Sequence, residues 1–230
     1  MPTLDPSLAN PAAIARVAGN LYAGAPVFAR TLARWRPRIC PFERLIELVP
    51  ADARLLDVGC GNGLLLGLLA HCGRFARGDG IDADARAIAT AETMRAGLTG
   101  PARDVLAFHN LDVRAPWPAG PFDAVALIDV LHHVRPDHQR ALVERACAAV
   151  PPGGVLIYKD MVVRPRWRAW ANRMHDLLMA RQWVHHRALD DVAAWAQACG
   201  LATVSRTRID RWWYGHELAV FRRDPPGAQA

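Results

Sequence analysis

Asp57 closes the apolar run Leu55-Leu56-Asp57-Val58, and glycines follow at positions 59, 61 and 63. The next seven residues, Leu64-Leu65-Leu66-Gly67-Leu68-Leu69-Ala70, read as a buried helix. A strand, a glycine turn and a helix in succession form a cradle for a nucleotide-like ligand. The glycines let the turn reach positive φ and bring bare backbone against the ligand, and the helix start offers unbonded N–H groups. A dinucleotide fingerprint, G-x-G-x-x-G, would need glycine at position 64, where this chain has Leu64. A carboxylate at Asp57 repels a pyrophosphate but suits a ligand with a cationic end. S-adenosylmethionine, with an ammonium, a carboxylate, a sulfonium and no phosphate, fits that requirement. Asp82 lies 19 residues beyond Gly63, at the end of the expected second strand, 76–82. A carboxylate there can accept both hydroxyls of a ribose.

The stretch 55–63 resembles motif I of the class I S-adenosylmethionine-dependent methyltransferases. Ile128-Asp129-Val130-Leu131-His132-His133-Val134 and Pro151-Pro152-Gly153-Gly154 resemble the matching segments of small-molecule members, including the ubiquinone and menaquinone methylation group. The resemblance covers about residues 45–160 and, weakly, 190–222. It implies a cofactor set of Asp57, Gly59, Cys60, Gly61 and Gly63, with Asp82 and Ala83 at the ribose. Asp112 and Val113 would meet the adenine, and Asp129 and Val130 would close the site. A less specific resemblance, over Lys159-Asp160-Met161, Pro165-Arg166-Trp167 and Asn172 to Leu178, is to methyltransferases of aryl polyene and related polyketide pathways. It implies a phenolic or polyene acceptor, free or on an acidic acyl carrier protein.

Methyl transfer from a sulfonium is an in-line displacement, so alignment dominates and a base assists a weakly acidic acceptor. His133 or His132 is the candidate base, with Asp160 or His175 as orienting group or alternative base. Of 28 cationic side chains only Lys159 is a lysine; it sits beside Asp160 and is a candidate substrate contact, as are Tyr22 and Asp176. The nine histidines lack metal-ligand spacing, so no metal is expected.

Alternating apolar segments and helical patterns predict a Rossmann-like, doubly wound α/β fold. Its sheet would have seven mostly parallel strands under a helical cap. The chain reads as one methyltransferase domain: a helical lid at 1–50, a cofactor core at 51–160, a helical insertion at 161–188, and a helix with a strand pair at 189–230. Strands are expected at 54–59, 76–82, 105–112, 122–129 and 155–159. Helices are expected over 11–36 as one or two pieces, 83–96, from Asp137 to 150, 165–187, and from Asp190 or Asp191 to Cys199.

The 230 residues are 52% hydrophobic, without an apolar run of membrane-spanning length. Five scattered cysteines with no C-x-x-C read as reduced thiols of a cytoplasmic protein. The charge of +6 is uneven: residues 1–160 carry 17 basic and 16 acidic side chains, and residues 161–230 carry 11 and 6. A basic, tryptophan-rich last third suits nucleic acid, an acidic carrier protein or an anionic aromatic substrate. A nucleic-acid methyltransferase is the competing enzyme, but the N/D-P-P-Y/F motif of base-amino methylation is missing after the fourth strand. A non-catalytic cofactor-binding partner subunit and a dinucleotide reductase compete as well.

Overall fold

The computed structural model describes residues 6–162, 184–212, 214–225 and 227. The chain divides into two compact units, Met1–Ala119 and Gly120–Ala230.

The first unit opens with α1 (Pro11–Leu21), α2 (Val27–Ile39) and α3 (Phe42–Leu48). Asn10 caps α1, its side chain accepting the Ala13 N–H at 2.9 Å, and Pro11 follows where no N–H is needed. Two helices form over 11–36 because Pro26 holds an extended conformation between them. Then come β1 (Arg54–Val58), α4 (Leu64–His71), β2 (Arg77–Asp82), α5 (Ala85–Gly97), a short α6 (Pro101–Asp104) and β3 (Leu106–Asn110). β1 pairs with β2, and β2 with β3, all parallel. α4 is buried along its whole length apart from His71, as its unbroken apolar sequence requires. β3 stops at Asn110, two residues before the expected end, because Asp112 Oδ1 accepts the Arg114 N–H at 2.9 Å and turns the chain.

The second unit contains β4 (Ala124–Ile128), α7 (Pro136–Ala148), β5 (Val155–Met161), α8 (Leu189–Ala198), β6 (Leu201–Arg211) and β7 (Tyr214–Arg223). All five β4 residues are buried, consistent with a parallel strand covered on both faces. β4 pairs parallel with β5, whereas β7 runs against both β5 and β6. The seven strands follow the order β3-β2-β1-β4-β5-β7-β6, so the expected sheet is present, with its final strand pair antiparallel.

Three helix starts differ from the sequence reading, α5 beginning at Ala85 rather than at 83 because Asp84 caps it. Arg135, not Asp137, occupies the cap position of α7, since Pro136 takes the first helical position and shifts Asp137 into the first turn. α8 begins at Leu189, which places Asp190 and Asp191 in its first turn, where their charges complement the helix dipole. The inserted helix expected over 165–187, with His175 and Asp176, lies outside the described residues up to 183. Residues 184–188 carry no regular secondary structure. Among the described residues no helix is long and apolar enough to cross a membrane.

Candidate functional site

In the first unit the chain leaves β1 through three left-handed glycines, with φ of +73° at Gly59, +55° at Gly61 and +77° at Gly63. Gly63 is doubly constrained, because a Cβ there would lie 2.7 Å from the Phe108 ring. The turn is fixed from β2. Ile81 O accepts the N–H groups of Gly59 at 2.8 Å and Cys60 at 3.0 Å, and Asp82 Oδ2 accepts that of Gly61 at 2.8 Å. Asp82 Oδ1 accepts the Asp84 N–H at 2.8 Å, while Asp84 itself caps α5. Each Asp82 oxygen therefore has one lone pair committed to backbone and a second for a ligand hydroxyl. Asn110 Nδ2 donates to Asp82 O and to the exposed Ala83 O, both at 3.0 Å, and braces the end of β2.

Asp57 lies buried beneath this turn. Burial, reinforced by the Asp82 charge and opposed by Arg36, pushes its carboxyl up to about 7. Burial and the same two acids push the Cys60 thiol well up, so it stays protonated. Tyr22 is fully buried, and its hydroxyl donates to Asn62 O at 2.6 Å, tying the end of α1 to the glycine turn. The half-buried Arg36 on α2 bears electrostatically on both Tyr22 and Asp57. Sequence reasoning did not single it out as a site residue. The signal was its position between the exposed Arg34 and Arg38. Asp112 is half-exposed and chelated by Arg114, with Oδ1–Nε 2.8 Å and Oδ2–Nη2 2.9 Å; these bonds lower its carboxyl to about 2. Its neighbour Val113 presents its carbonyl to Trp117 Nε1 at 2.9 Å.

The second unit collects the remaining candidates. Asp129, with Val130 after it, ends β4 in a left-handed conformation of φ +56°. Its N–H donates to Lys159 O at 2.9 Å, and its carboxylate oxygens lie 2.5 and 2.6 Å from Lys159 Nζ. Lys159 is completely buried. Leu131–His133 form a single 3-10 turn. It buries His132 and exposes His133, whose ring centroids are 4.1 Å apart. His132 Nδ1 lies 2.5 Å from Asp160 Oδ1, and the His132 N–H donates to Oδ2 at 3.2 Å. The Met161 N–H also reaches Oδ1 at 2.7 Å. Burial works against the Asp160 charge, but the His132 imidazole holds the carboxyl below its usual range. An ionised Asp160 accepts only, so Nδ1 carries the proton and Nε2 the lone pair, a tautomer assigned from the partners.

A residue not singled out from sequence supports this turn. The fully buried Gln139 places Nε2 near the carbonyls of Leu131 (3.0 Å), Val134 (3.2 Å) and His185 (2.7 Å), while Arg187 Nε donates to its Oε1 at 2.8 Å. The His185 N–H returns to His132 O at 2.7 Å. A polar residue on the otherwise apolar inner face of α7, beside Leu142, Val143 and Ala146, was the available signal.

Asp129, His132 and Asp160 bring one ligand atom each within 4.8 Å of one another. Lys159 already pairs with Asp129 and the His132 ring N–H with Asp160, so a divalent cation would have to displace Lys159 from Asp129. His175 and Asp176 lie outside the described residues.

Residues 29–206 match the family described as "Methyltransferase domain". A curated relative, the ubiquinone biosynthesis O-methyltransferase of Ralstonia nicotianae, is 32% identical over 147 residues, covering 58% of this chain and 59% of the relative. The chain spans 43% to 62% of the length of the curated relatives it matches. An O-methyltransferase family protein from Burkholderia thailandensis aligns with TM-score 0.68 at 20% identity, over 86% of this chain and 60% of that one. The N-methyltransferase NodS from Bradyrhizobium japonicum, solved with S-adenosyl-L-homocysteine, aligns with TM-score 0.61 at 21% identity, over 89% and 98%. At these identities the structural likeness is one of fold.

Proposed function

This chain belongs to the methyltransferase-domain family, and from that premise we propose that it moves a methyl group from S-adenosylmethionine to a small organic acceptor with an acidic hydroxyl. The observation that carries this reading is the glycine turn bonded to Asp82 and underlaid by the buried Asp57. When bound, the cofactor supplies a methyl group already activated on a sulfonium. Asp82 holds the ribose hydroxyls with its remaining lone pairs. Asp57 faces the cationic amino-acid end, and Arg36 faces the carboxylate. Asp112 retains one Oδ2 lone pair for the adenine amino group, with Val113 beside the ring.

His132 Nε2 takes the acceptor proton, and Asp160 stabilises the resulting imidazolium and fixes the ring. Exposed His133 is the second candidate for that proton. Lys159 keeps the turn that carries both histidines in place through Asp129. The acceptor class is a phenolic or polyketide compound, or an aromatic or polyene chain on an acidic acyl carrier protein. The O-methyltransferase relatives support a hydroxyl acceptor, and the basic last third supports an anionic carrier. Five free thiols fit a cytoplasmic setting. The test is transfer of labelled methyl from S-adenosylmethionine across free phenols, quinols and carrier-bound acids. Uptake of NADH without binding of S-adenosylmethionine or its demethylated product refutes the reading.

Two cofactor predictions follow from the first unit. Asp82→Ala weakens S-adenosylmethionine binding about 10- to 100-fold, the effect of losing charge-assisted bonds. Asp82→Asn, which keeps one acceptor oxygen, loses less, and calorimetry showing unchanged affinity in both removes the ribose assignment. The second concerns pH. In the ligand-free protein Asp57 is protonated below about 7, whereas a cationic ligand needs it ionised. Affinity therefore rises by up to about tenfold per pH unit below that value and levels off above it, with one proton released on binding. The ligand-free fold responds in the opposite sense. A carboxyl raised by folding binds its proton more tightly in the folded state, so this group's contribution to stability falls as pH rises from the ordinary carboxylate range towards 7. Asp57→Asn should flatten the affinity profile; a slope that survives the substitution assigns it to another group.

A further inference from the structure

The outer face of α2 and the loop before it form a surface that methyl transfer leaves unexplained. Residues 23–29, Ala-Gly-Ala-Pro-Val-Phe-Ala, contain no side chain able to hydrogen-bond. Val27 is 82% exposed and Phe28 72%, the two most exposed large apolar side chains among the described residues. One to three turns further along α2 lie Arg30, Thr31, Arg34, Trp35 and Arg38, all exposed. The Thr31 hydroxyl is spent on Val27 O at 2.8 Å, so the hydrogen-bonding side chains this face turns outward are chiefly guanidinium donors.

These arginines are set in place. Arg30 Nε donates to Gly19 O at 3.1 Å, and the Arg34 stem packs so tightly over Gly19 that a Cβ there would meet it at 3.0 Å. The Arg38 guanidinium lies 5.3 Å from the centroid of the Trp35 ring. Thr31, Arg34, Trp35 and Arg38 enclose a shallow depression of about 210 Å³. Between Asp5 and Glu43 the sequence has five arginines and no acid, so nothing within that span offsets the charge. The first turn of α2 has neither a side-chain cap nor an acid, which leaves the positive end of its dipole on the same face.

We propose that this face seats the protein on an anionic lipid surface. Val27 and Phe28 enter the headgroup–acyl boundary, and Arg30, Arg34 and Arg38 bind the phosphates around them. The charge pattern demands an anionic partner. The apolar tip selects among such partners: it offers no side-chain hydrogen bond to a protein, and it gains by leaving water for a bilayer interface, where Phe and Trp settle. The seven-residue apolar tip followed by a collar of arginines is the arrangement of a surface-bound helix, whose binding combines buried apolar area with attraction to anionic lipid.

The full chain is to be sedimented with extruded phosphatidylcholine vesicles, pure or containing about 30% phosphatidylglycerol, at low and high salt. Partitioning should be at least about tenfold stronger on the anionic vesicles, and salt should weaken it by screening. Arg34→Glu/Arg38→Glu and Phe28→Ser should each lower it about tenfold or more, while thermal melting and S-adenosylhomocysteine affinity stay unchanged. Four results overturn the proposal: no binding by wild type, equal binding to neutral and anionic vesicles, equal binding by wild type and the variants, or binding to poly-glutamate as strong and independent of Phe28. Self-association abolished by the same substitutions, without vesicle binding, assigns the face to a second copy instead. The cofactor-affinity control separates failure here from failure of the methyltransferase reading.

Discussion

His132→Ala should lower methyl-transfer turnover by about two to four decades while leaving cofactor affinity within about twofold, the range for loss of a positioned base. The expectation rests on Asp160. Its carboxylate takes the His132 ring at Nδ1, the His132 backbone N–H and the Met161 N–H. So many donors keep it ionised and fix the imidazole with its lone pair on Nε2. Asp160→Asn should reproduce most of the loss, because an amide can present its NH2 group to Nδ1 and favour the opposite tautomer. His133→Ala, which removes a ring exposed to water rather than one oriented by a buried carboxylate, should cost less than about tenfold. Single-turnover rates with a responsive phenol, set beside calorimetric cofactor affinities, measure both quantities. Wild-type turnover in both His132→Ala and His133→Ala would leave alignment as the whole of the chemistry.

The largest loss of stability should come from Lys159→Met. The ammonium is fully buried against a nearly buried carboxylate. Removing one member of such a pair costs about 3–5 kcal/mol, since the other charge remains desolvated. In a chain of this size that lowers the melting temperature by about 6–20 °C. Asp129 is also held at φ +56°, a conformation that asparagine accepts. Lys159→Met/Asp129→Asn should therefore regain more than half of the lost stability. That recovery separates a charge effect from simple loss of packing. A single variant melting within about 2 °C of wild type would show that the pair contributes little.

The glycine turn after β1 was legible because its requirements are local. Positive-φ glycines, an acid ending β1 and an acid ending β2 are each set by a few consecutive residues, and each lies where the spacing put it. The partnership of His132 with Asp160 was less legible. It joins residues 28 apart through strand pairing, and sequence could name both residues without choosing His132 over His133. The burial of one ring and exposure of the other follow from a three-residue 3-10 turn, for which the sequence has no strong signature. Gln139 and Arg36 escaped notice for a related reason. Their roles depend on which face of a helix turns inward, and one polar residue shifts an apolar periodicity too little to reveal that. The start of α7 moved because a proline, at 136, preceded the acid that resembled a cap.

The solitary lysine has a bearing on how this molecule can be handled and modified. With every other basic side chain an arginine or a histidine, the folded chain displays no ε-amino group among its 230 residues. Acylating enzymes, succinimidyl dyes and amine cross-linkers therefore find no lysine target on its surface. Acylation at position 159 would instead mark molecules that have opened.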